Sequence, residues 1–193
     1  PYDKYITWQP ADPRWDDINQ VREGHTQTTP ALHVNSWHDI GAGEMSRMFK
    51  YLQDIDTPDQ YLILASGPHC AFVAESGLAE MEFGDLNVGD ARYLGRDDGF
   101  RELFLNFFDA KLKGKRDKLK RMPKVQLHVM NKGWISGDQW PLKNTEFREY
   151  YLQSTGLAGA RLADGKLSKA KPTEDPGLDS YAVSYTHLRA HET

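Results

Sequence analysis

Two apolar segments on either side of an amphipathic stretch constrain the fold more than any other feature of this sequence. Residues 31–34, "ALHV", form a short apolar run, and residues 61–65, "YLILA", form a longer one. Between them, apolar side chains recur at the spacing of one helix face, which predicts a helix over residues 43–55: Met45, Met48, Phe49, Leu52 and Ile55. Strand, helix and strand in this order form a βαβ unit. We therefore predict a parallel sheet with a right-handed crossover, whose second strand is buried on both faces.

Polar side chains follow each of these two strands. The first strand runs into "NSWHDIGAG", which contains Asp39, and the second runs into "SGPHC", which contains His69. Ligands bind open parallel sheets at the carboxyl ends of the strands, so we expect Asp39 and His69 to lie side by side. A carboxylate that accepts a hydrogen bond from Nδ1–H of an imidazole leaves Nε2 free to act as a general base near neutral pH. This pattern predicts that Asp39 orients His69 and that His69 activates a nucleophile.

Each of these residues also has a structural interpretation. Asp39 precedes a predicted helix and is a favourable N-cap residue. His69 could be a buried histidine with satisfied hydrogen bonds, and we expect Trp37 to pack beside the site. A metal cluster of His33, His38, Asp39 and His69 is a weaker alternative, because no H-x-x-x-H pair lies on one predicted helix face. We predict no metal and no cofactor.

Composition excludes several classes of protein. The chain has 193 residues, of which 39% are hydrophobic and 27% are charged, with a net charge of −4. These values are typical of a globular protein and provide no electrostatic surface for nucleic acid or an anionic membrane. The basic run "KLKGKRDKLKR" at residues 111–121 is interpreted as a solvated face. No apolar stretch reaches the roughly 20 residues that span a bilayer. Cys70 is the single cysteine, so no internal disulfide forms, and we expect it to be a small buried packing residue.

A second helix and a change of character follow. Residues 98–114 predict a helix with Asp98 as its N-cap, Gly114 as its C-terminal stop and an apolar stripe of Phe100, Leu103, Phe104, Phe107 and Phe108. Beyond Met122, residues 125–130 alternate between apolar and polar side chains, which predicts a strand with one solvated face. We expect this strand to open an antiparallel β-sandwich near Pro123. "MNKGWISGDQWPL" predicts a turn-rich connection, "FREYYLQS" a second strand, and residues 158–179 a surface loop.

Four segments in order resemble the X-prolyl dipeptidyl peptidase and cocaine esterase family of serine hydrolases: "PALHVNSWHDIGAGEMSRMFKYLQ", "QYLILASGPHC", "FRELFLNFFDAKLKG" and "VQLHVMNKGWISGDQWPL". The resemblance covers residues 30–152. It implies that Asp39 and His69 match the triad aspartate and histidine. Two departures are visible. Many family members have a Trp and another residue between the Gly-Pro segment and the histidine, whereas His69 follows Pro68 directly. Asn35 and Ser36 stand where many members have glycine.

The resemblance implies an α/β fold class, in which the end of an α/β-hydrolase parallel sheet with flanking helices precedes a truncated β-sandwich, the jelly-roll. Residues 1–29 would end the cap region, residues 30–121 the hydrolase domain, and residues 122–182 would begin the jelly-roll. "VSYTHLRAHET" at residues 183–193 is interpreted as an adaptor-derived tail, which removes His187 and His191 from the candidate ligands. The chain would then be a fragment cut at both ends.

The nucleophile is not evident in this sequence. No G-x-S-x-G motif occurs, and the serines, such as Ser36 and Ser66, lack its strand-to-helix glycine context. α/β-Hydrolases carry their triad in the order Ser, Asp, His, so the serine and the oxyanion-hole donors are expected upstream of Pro1. Cys70 is a poor substitute, since consecutive residues in an extended loop point apart.

These patterns favour a fragment of a serine hydrolase that cleaves acyl bonds, as an X-Pro dipeptidyl peptidase or an esterase does. The alternative is a noncatalytic β-sandwich module that binds a ligand such as carbohydrate. The expected partner is a small ester or short peptide substrate, β-lactam side chains included, with no nucleic acid and no membrane; a homo-oligomer stays open. We expect the isolated chain to be inactive and prone to aggregate.

Overall fold

A computed structural model describes residues 7–9, 11–18, 24, 26–70, 78, 80–83, 86–161, 164–173 and 178–180. The chain divides into two compact units, Pro1–Thr145 and Glu146–Thr193. The tail interpreted as adaptor-derived, residues 183–193, lies outside the described residues, as does part of the segment assigned to the cap region.

The described elements form a mixed α/β arrangement. The strands are β1 (Ala31–His38), β2 (Gln60–Pro68), β3 (Met81–Phe83), β4 (Leu86–Gly89), β5 (Val125–Val129), β6 (Gly133–Gly137), β7 (Tyr151–Gln153) and β8 (Lys166–Ser168). The α-helices are α1 (Ala42–Asp54) and α2 (Gly99–Leu112), and short 3₁₀ turns lie at Pro13–Asp17, Tyr93–Gly95 and Arg116–Lys118. No helix in the described ranges is long and apolar enough to cross a membrane.

The main sheet lies in the first unit and has the strand order β1-β2-β5-β6. Strands β1 and β2 are parallel, and so are β2 and β5, whereas β5 and β6 form an antiparallel pair. The βαβ unit of β1, α1 and β2 is therefore present as the hydrophobic periodicity predicts. Strand β1 is longer than its apolar run, because its ladder with β2 continues through Asn35 and Ser36. Backbone pairing does not require apolar side chains. The hydrophobic pattern therefore underestimates the length of a strand such as β1 that ends in polar residues.

Strand β2 organises the core because helices cover both of its faces. Leu62 and Leu64 pack in a cluster with Phe49 of α1. Ile63 and Ala65 point the other way and pack in a cluster with Phe100 of α2. Every residue of β2 except Pro68 is buried, which confirms the prediction from its continuous apolar run.

The prediction for residues 125–129 is wrong in two respects. We expected a strand with one solvated face at the start of an antiparallel sandwich, but β5 lies parallel to β2 in the main sheet, and its first four residues are buried. The polar positions are satisfied internally: Gln126 Oε1 accepts a hydrogen bond from Tyr93 Oη at 2.7 Å, and His128 Nδ1 pairs with Ser66 Oγ. A buried polar side chain with a partner has the same sequence pattern as a solvated one.

The stretch "MNKGWISGDQWPL" contains strand β6 where we predicted only a turn-rich connection. Asn131 in the turn between β5 and β6 and Gly133 at the start of β6 adopt positive φ angles of 56° and 83°. Asn and Gly are the residues that tolerate this conformation, so the turn closes a hairpin. The short hairpin of β3 and β4 was not predicted either, because strands of three or four residues carry little periodicity.

The structure confirms the predicted C-terminal end of α2 but not its predicted N-cap hydrogen bond. Gly114 has a φ of 70° directly after the C-cap residue Lys113, as a C-terminal glycine stop should. The side chain of Asp98 makes no cap hydrogen bond and instead pairs with Arg101 Nη1 at 3.1 Å. Phe108, predicted for the apolar stripe, is exposed.

The second unit contains one antiparallel pair in its described residues, β7 with β8. Strand β7 lies within the predicted segment "FREYYLQS", whereas β8 lies within the stretch predicted as a loop. The Asp164 carboxylate holds the connection by accepting hydrogen bonds from the backbone N–H groups of Thr155 and Leu157, both at 3.0 Å. Contacts divide the chain after Thr145, later than the boundary expected near Pro123.

We predict that Gly99→Ala destabilises the first unit. A Cβ at Gly99 would lie 2.3 Å from the Tyr93 carbonyl oxygen, so backbone must move to admit it. Overpacking of this kind costs about 1–3 kcal/mol. The free energy of unfolding, measured by urea denaturation, should fall by that amount.

Gly43→Ala is the matched control, since Gly43 lies in the first turn of α1 and its added Cβ would meet nothing closer than Arg47 Nη2 at 4.0 Å. Alanine favours helix over glycine by about 0.5–1 kcal/mol, so this variant should be at least as stable as the parent. Equal changes in the free energy of unfolding for Gly99→Ala and Gly43→Ala would contradict the close approach of α2 to Tyr93.

Candidate active site

The parallel pairing of β1 and β2 brings their exit loops together. His38 pairs with Pro68 at the carboxyl ends of the two strands, so residues 39 and 69 leave the sheet side by side. His69 Nδ1 is hydrogen-bonded to Asp39 Oδ2. This confirms the predicted contact between the two side chains, while their catalytic role stays a prediction.

A β-bulge directs the second exit loop toward the first. Ser36 pairs with Ala65, but His38 pairs with Pro68, so β2 contains one residue more than β1 over this interval. Gly67 absorbs the irregularity with a φ of 102°, a conformation that glycine adopts without a steric penalty. Bulges are common beside active sites because they redirect a side chain, here His69.

The two oxygens of Asp39 have separate partners. Oδ1 accepts a hydrogen bond from the backbone N–H of Gly41 at 2.8 Å, and Oδ2 accepts one from His69. Gly41 is the N-cap residue of α1, so Asp39 is not the N-cap itself but fixes the backbone that enters the helix. The two interpretations of Asp39, structural and catalytic, are therefore compatible.

The surroundings of Asp39 favour its ionised form. The hydrogen bond from Gly41 N–H is the main cause that lowers the pKa of this carboxyl, and the hydrogen bond and charge of His69 and the amide of Asn35 add to it, against the opposing effect of burial. Only 6% of the Asp39 side chain is exposed. The site therefore contains a shielded carboxylate at neutral pH.

His69 presents one nitrogen to the carboxylate and the other to its surroundings. An ionised carboxylate can only accept hydrogen bonds, so Nδ1 carries the proton. In the neutral ring Nε2 then holds the lone pair. The side chain is 76% exposed, so the ring is open to a reaction partner. This arrangement can accept a proton at Nε2 and stabilise the resulting imidazolium through Asp39.

The other candidate residues do not join this pair. His33 Nε2 is hydrogen-bonded to Gln60 Oε1 at 2.9 Å inside the sheet, where burial lowers the pKa of the imidazole. Among the described residues, no group of three His, Cys, Asp or Glu side chains lies close enough together to hold a metal ion. Cys70 is exposed, not buried as predicted, because it lies in the turn after His69 with a φ of 57°.

Sequence reasoning missed His128, which lies behind the two exit loops. Its ring is hydrogen-bonded to Ser66, and its carbonyl oxygen accepts a hydrogen bond from Trp37 Nε1 at 2.8 Å. Trp37, which is 41% exposed, is thus tied to β5. The alternation of residues 125–130 assigned His128 to a solvated face, so periodicity gave no signal for this role.

Two comparisons with known proteins bear on this chain. Residues 117–193 match the family model of the X-Pro dipeptidyl-peptidase C-terminal non-catalytic domain. The chain is 29% identical over 170 residues to cocaine esterase from Rhodococcus sp. (strain MB1 Bresler). This similarity covers 86% of the chain and 27% of that esterase, so the chain spans about a quarter of the relative's length. Asp39 and His69 lie outside the family-model match.

Both matches relate the chain to hydrolases. The family model is described as a domain of a peptidase, and the relative is named as an esterase. Both matches support the resemblance of the four sequence segments to the X-prolyl dipeptidyl peptidase and cocaine esterase family.

We predict that Asp39→Asn lowers stability in a pH-dependent way. The pKa of Asp39 is lowered from its ordinary value of 3.8, so its ionised form stabilises the fold above that pH. This contribution disappears as pH falls through the lowered pKa. The variant should be less stable than the parent at pH 7, and the difference should shrink below pH 3.8, as measured by urea denaturation across a pH series.

Asp54→Asn is the control. Asp54 forms an exposed ion pair with Lys50 on α1, and such pairs contribute little to stability. A pH-independent difference between Asp39→Asn and the parent would show that the ionised carboxylate is not what stabilises the loop.

Proposed function

We propose that this chain supplies the Asp–His half of a serine hydrolase active site that cleaves acyl bonds in esters or short peptides. One observation carries the proposal: a shielded carboxylate contacts an exposed imidazole where two parallel strands end, in a chain whose relatives are named as a peptidase and an esterase. The nucleophilic serine and the oxyanion donors would come from residues that precede this chain.

In this mechanism, Asp39 keeps the Nδ1 proton in place and His69 Nε2 accepts the proton of the serine hydroxyl. The serine oxygen forms a bond to the acyl carbon, and the imidazolium at His69 is stabilised by Asp39. His69 then donates the proton to the leaving alkoxide or amine as its bond to the acyl carbon breaks. Water repeats both steps on the acyl-serine, which releases the acid and restores the neutral imidazole.

The fold supports a matching assignment of domains. We infer that β1, β2 and β5 are the last strands of an α/β-hydrolase sheet, because they are parallel and helices cover both faces of β2. The β7–β8 pair would then belong to the jelly-roll, and residues 1–29 would end the cap region. The boundary expected at residue 122 lies near the start of the family-model match at residue 117, whereas β5 continues the main sheet.

A noncatalytic binding role is the second candidate. The family model that matches residues 117–193 is described as non-catalytic, which favours such a role for this part of the chain. A sandwich that binds a ligand such as carbohydrate does not, however, require a carboxylate and an imidazole in contact at the rim of another sheet. The two roles could occupy different units of one protein.

Two substitutions test the catalytic proposal in the longer protein that carries this chain. Asp39→Asn should reduce kcat by a factor on the order of 10⁴, because the amide stabilises the wrong imidazole tautomer. His69→Ala should have a comparable effect, since it removes the base. Ester hydrolysis under steady-state conditions measures both, and Asp54→Asn serves as a matched carboxylate removal that should leave turnover unchanged.

Labelling with a fluorophosphonate probe separates the two candidate functions. A serine hydrolase should give a covalent serine adduct whose formation slows in His69→Ala. Near-normal turnover in Asp39→Asn would mean that Asp39 only stabilises the turn into α1 and has no catalytic role. The absence of any adduct in the parent protein would support the binding role.

A further inference from the structure

We propose that His128 is a positioning residue that fixes the two exit loops carrying Asp39 and His69 relative to each other. This inference rests on the proposed function of that pair. His128 lies on β5, and its backbone and side chain together make hydrogen bonds to Trp37 on β1, to Ser66 on β2 and to Asp90 after β4. One residue therefore connects both strands that end at the candidate site.

The first connection reaches across the sheet. Trp37 Nε1–H donates to the carbonyl oxygen of His128 at 2.8 Å. Strand β2 lies between β1 and β5, so the indole spans the strand that carries the bulge. Trp37 is two residues before Asp39. The exit of β1 is thus tied to a strand that is not its sheet neighbour.

The second and third connections fix the imidazole of His128. Nε2 lies 2.8 Å from the carbonyl oxygen of Asp90, and a carbonyl can only accept, so Nε2 carries the proton. Nδ1 of the neutral ring is then the acceptor for the hydroxyl proton of Ser66. The bond is buried, since only 1% of His128 and 5% of Ser66 are exposed. Ser66 belongs to the bulge, three residues before His69.

Neighbouring contacts prevent the ring from turning away. The ring of Trp134 meets that of His128 edge to face, with centroids 5.4 Å apart, and its Nε1–H donates to Arg92 O at 2.8 Å. A rotation of the His128 ring would leave buried donors and acceptors without partners, which is costly in a low-dielectric interior. The ring is therefore a fixed reference point for Ser66.

A fixed reference matters because the candidate pair is built from two separate loops. The bulge gives β2 one extra residue between Ala65 and Pro68, and such an insertion disrupts the ladder locally. Trp37 and Ser66 both bind His128, so one residue holds the two strands together where the bulge interrupts their ladder. A displacement of about 1 Å between reacting groups can cost a factor of 10² in rate.

The experiment removes each connection singly in the longer protein that carries this chain. Ser66→Ala deletes the hydroxyl that binds Nδ1, and Trp37→Phe deletes the indole N–H while keeping an aromatic ring. Tyr93→Phe is the matched control, because it deletes one buried hydroxyl bond to the same strand, at Gln126, without touching an exit loop. We expect kcat to fall about 10- to 100-fold in the first two variants with KM nearly unchanged, and to stay at the parent value in the control.

A second readout does not depend on activity. The Nδ1 proton of His69 that bonds to Asp39 should give a downfield resonance in the proton NMR spectrum, assigned by its loss in His69→Ala. It should broaden or exchange faster with solvent in Ser66→Ala and Trp37→Phe but not in Tyr93→Phe. Thermal unfolding of all three variants shows whether the lost bonds have similar effects on stability.

The outcomes separate the two proposals. If Ser66→Ala and Trp37→Phe lose stability like Tyr93→Phe but keep the parent resonance and kcat, His128 is a packing residue and the inference is wrong. If the resonance responds as expected but His69→Ala retains full turnover, the proposed function fails and the positioning of the pair stands. His128→Phe, where it folds, should combine the effect of Ser66→Ala with the loss of the Asp90 bond.

Discussion

The parallel pairing of β1 with β2 is the constraint on which the rest of this structure depends. Parallel strands cannot be joined by a tight turn, so α1 must cross over one face of the sheet, and α2 covers the other. The same pairing makes both strands end at one edge. Asp39 and His69 are far apart in the sequence, and the strand pairing brings them into contact.

Asp39 shows how one side chain can serve the fold and the site at once. Its Oδ1 stabilises the turn into α1 through Gly41, and that bond is also the main cause that lowers the pKa of the carboxyl. Its Oδ2 is thereby left in a fixed direction, toward His69. A more flexible aspartate would lose conformational entropy each time its hydrogen bond to the histidine formed. The helix entry thus prepares the carboxylate for its partner.

The sequence was sufficient for features that depend on periodicity and on strand ends. The apolar run of β2, the amphipathic helix α1 and the meeting of Asp39 with His69 all follow from local patterns and the geometry of parallel sheets. It was insufficient where a buried polar side chain has its partner far along the chain. His128 appeared solvated because nothing local shows that Ser66 and Asp90 satisfy its ring. The pairing of β5 was misassigned for the same reason.

The loop that carries His69 is short and follows a bulge in β2. His69 follows Pro68 directly, so the loop has little length in which to reach Asp39. The extra residue of the bulge lies upstream instead, within β2, where Gly67 can adopt its positive φ. An irregularity inside a strand needs lateral support that a free loop does not. Ser66 and Trp37 supply that support through His128, and Asn35 contributes its amide to Asp39. The short loop that carries His69 therefore follows a bulge whose two sides are both hydrogen-bonded to β5.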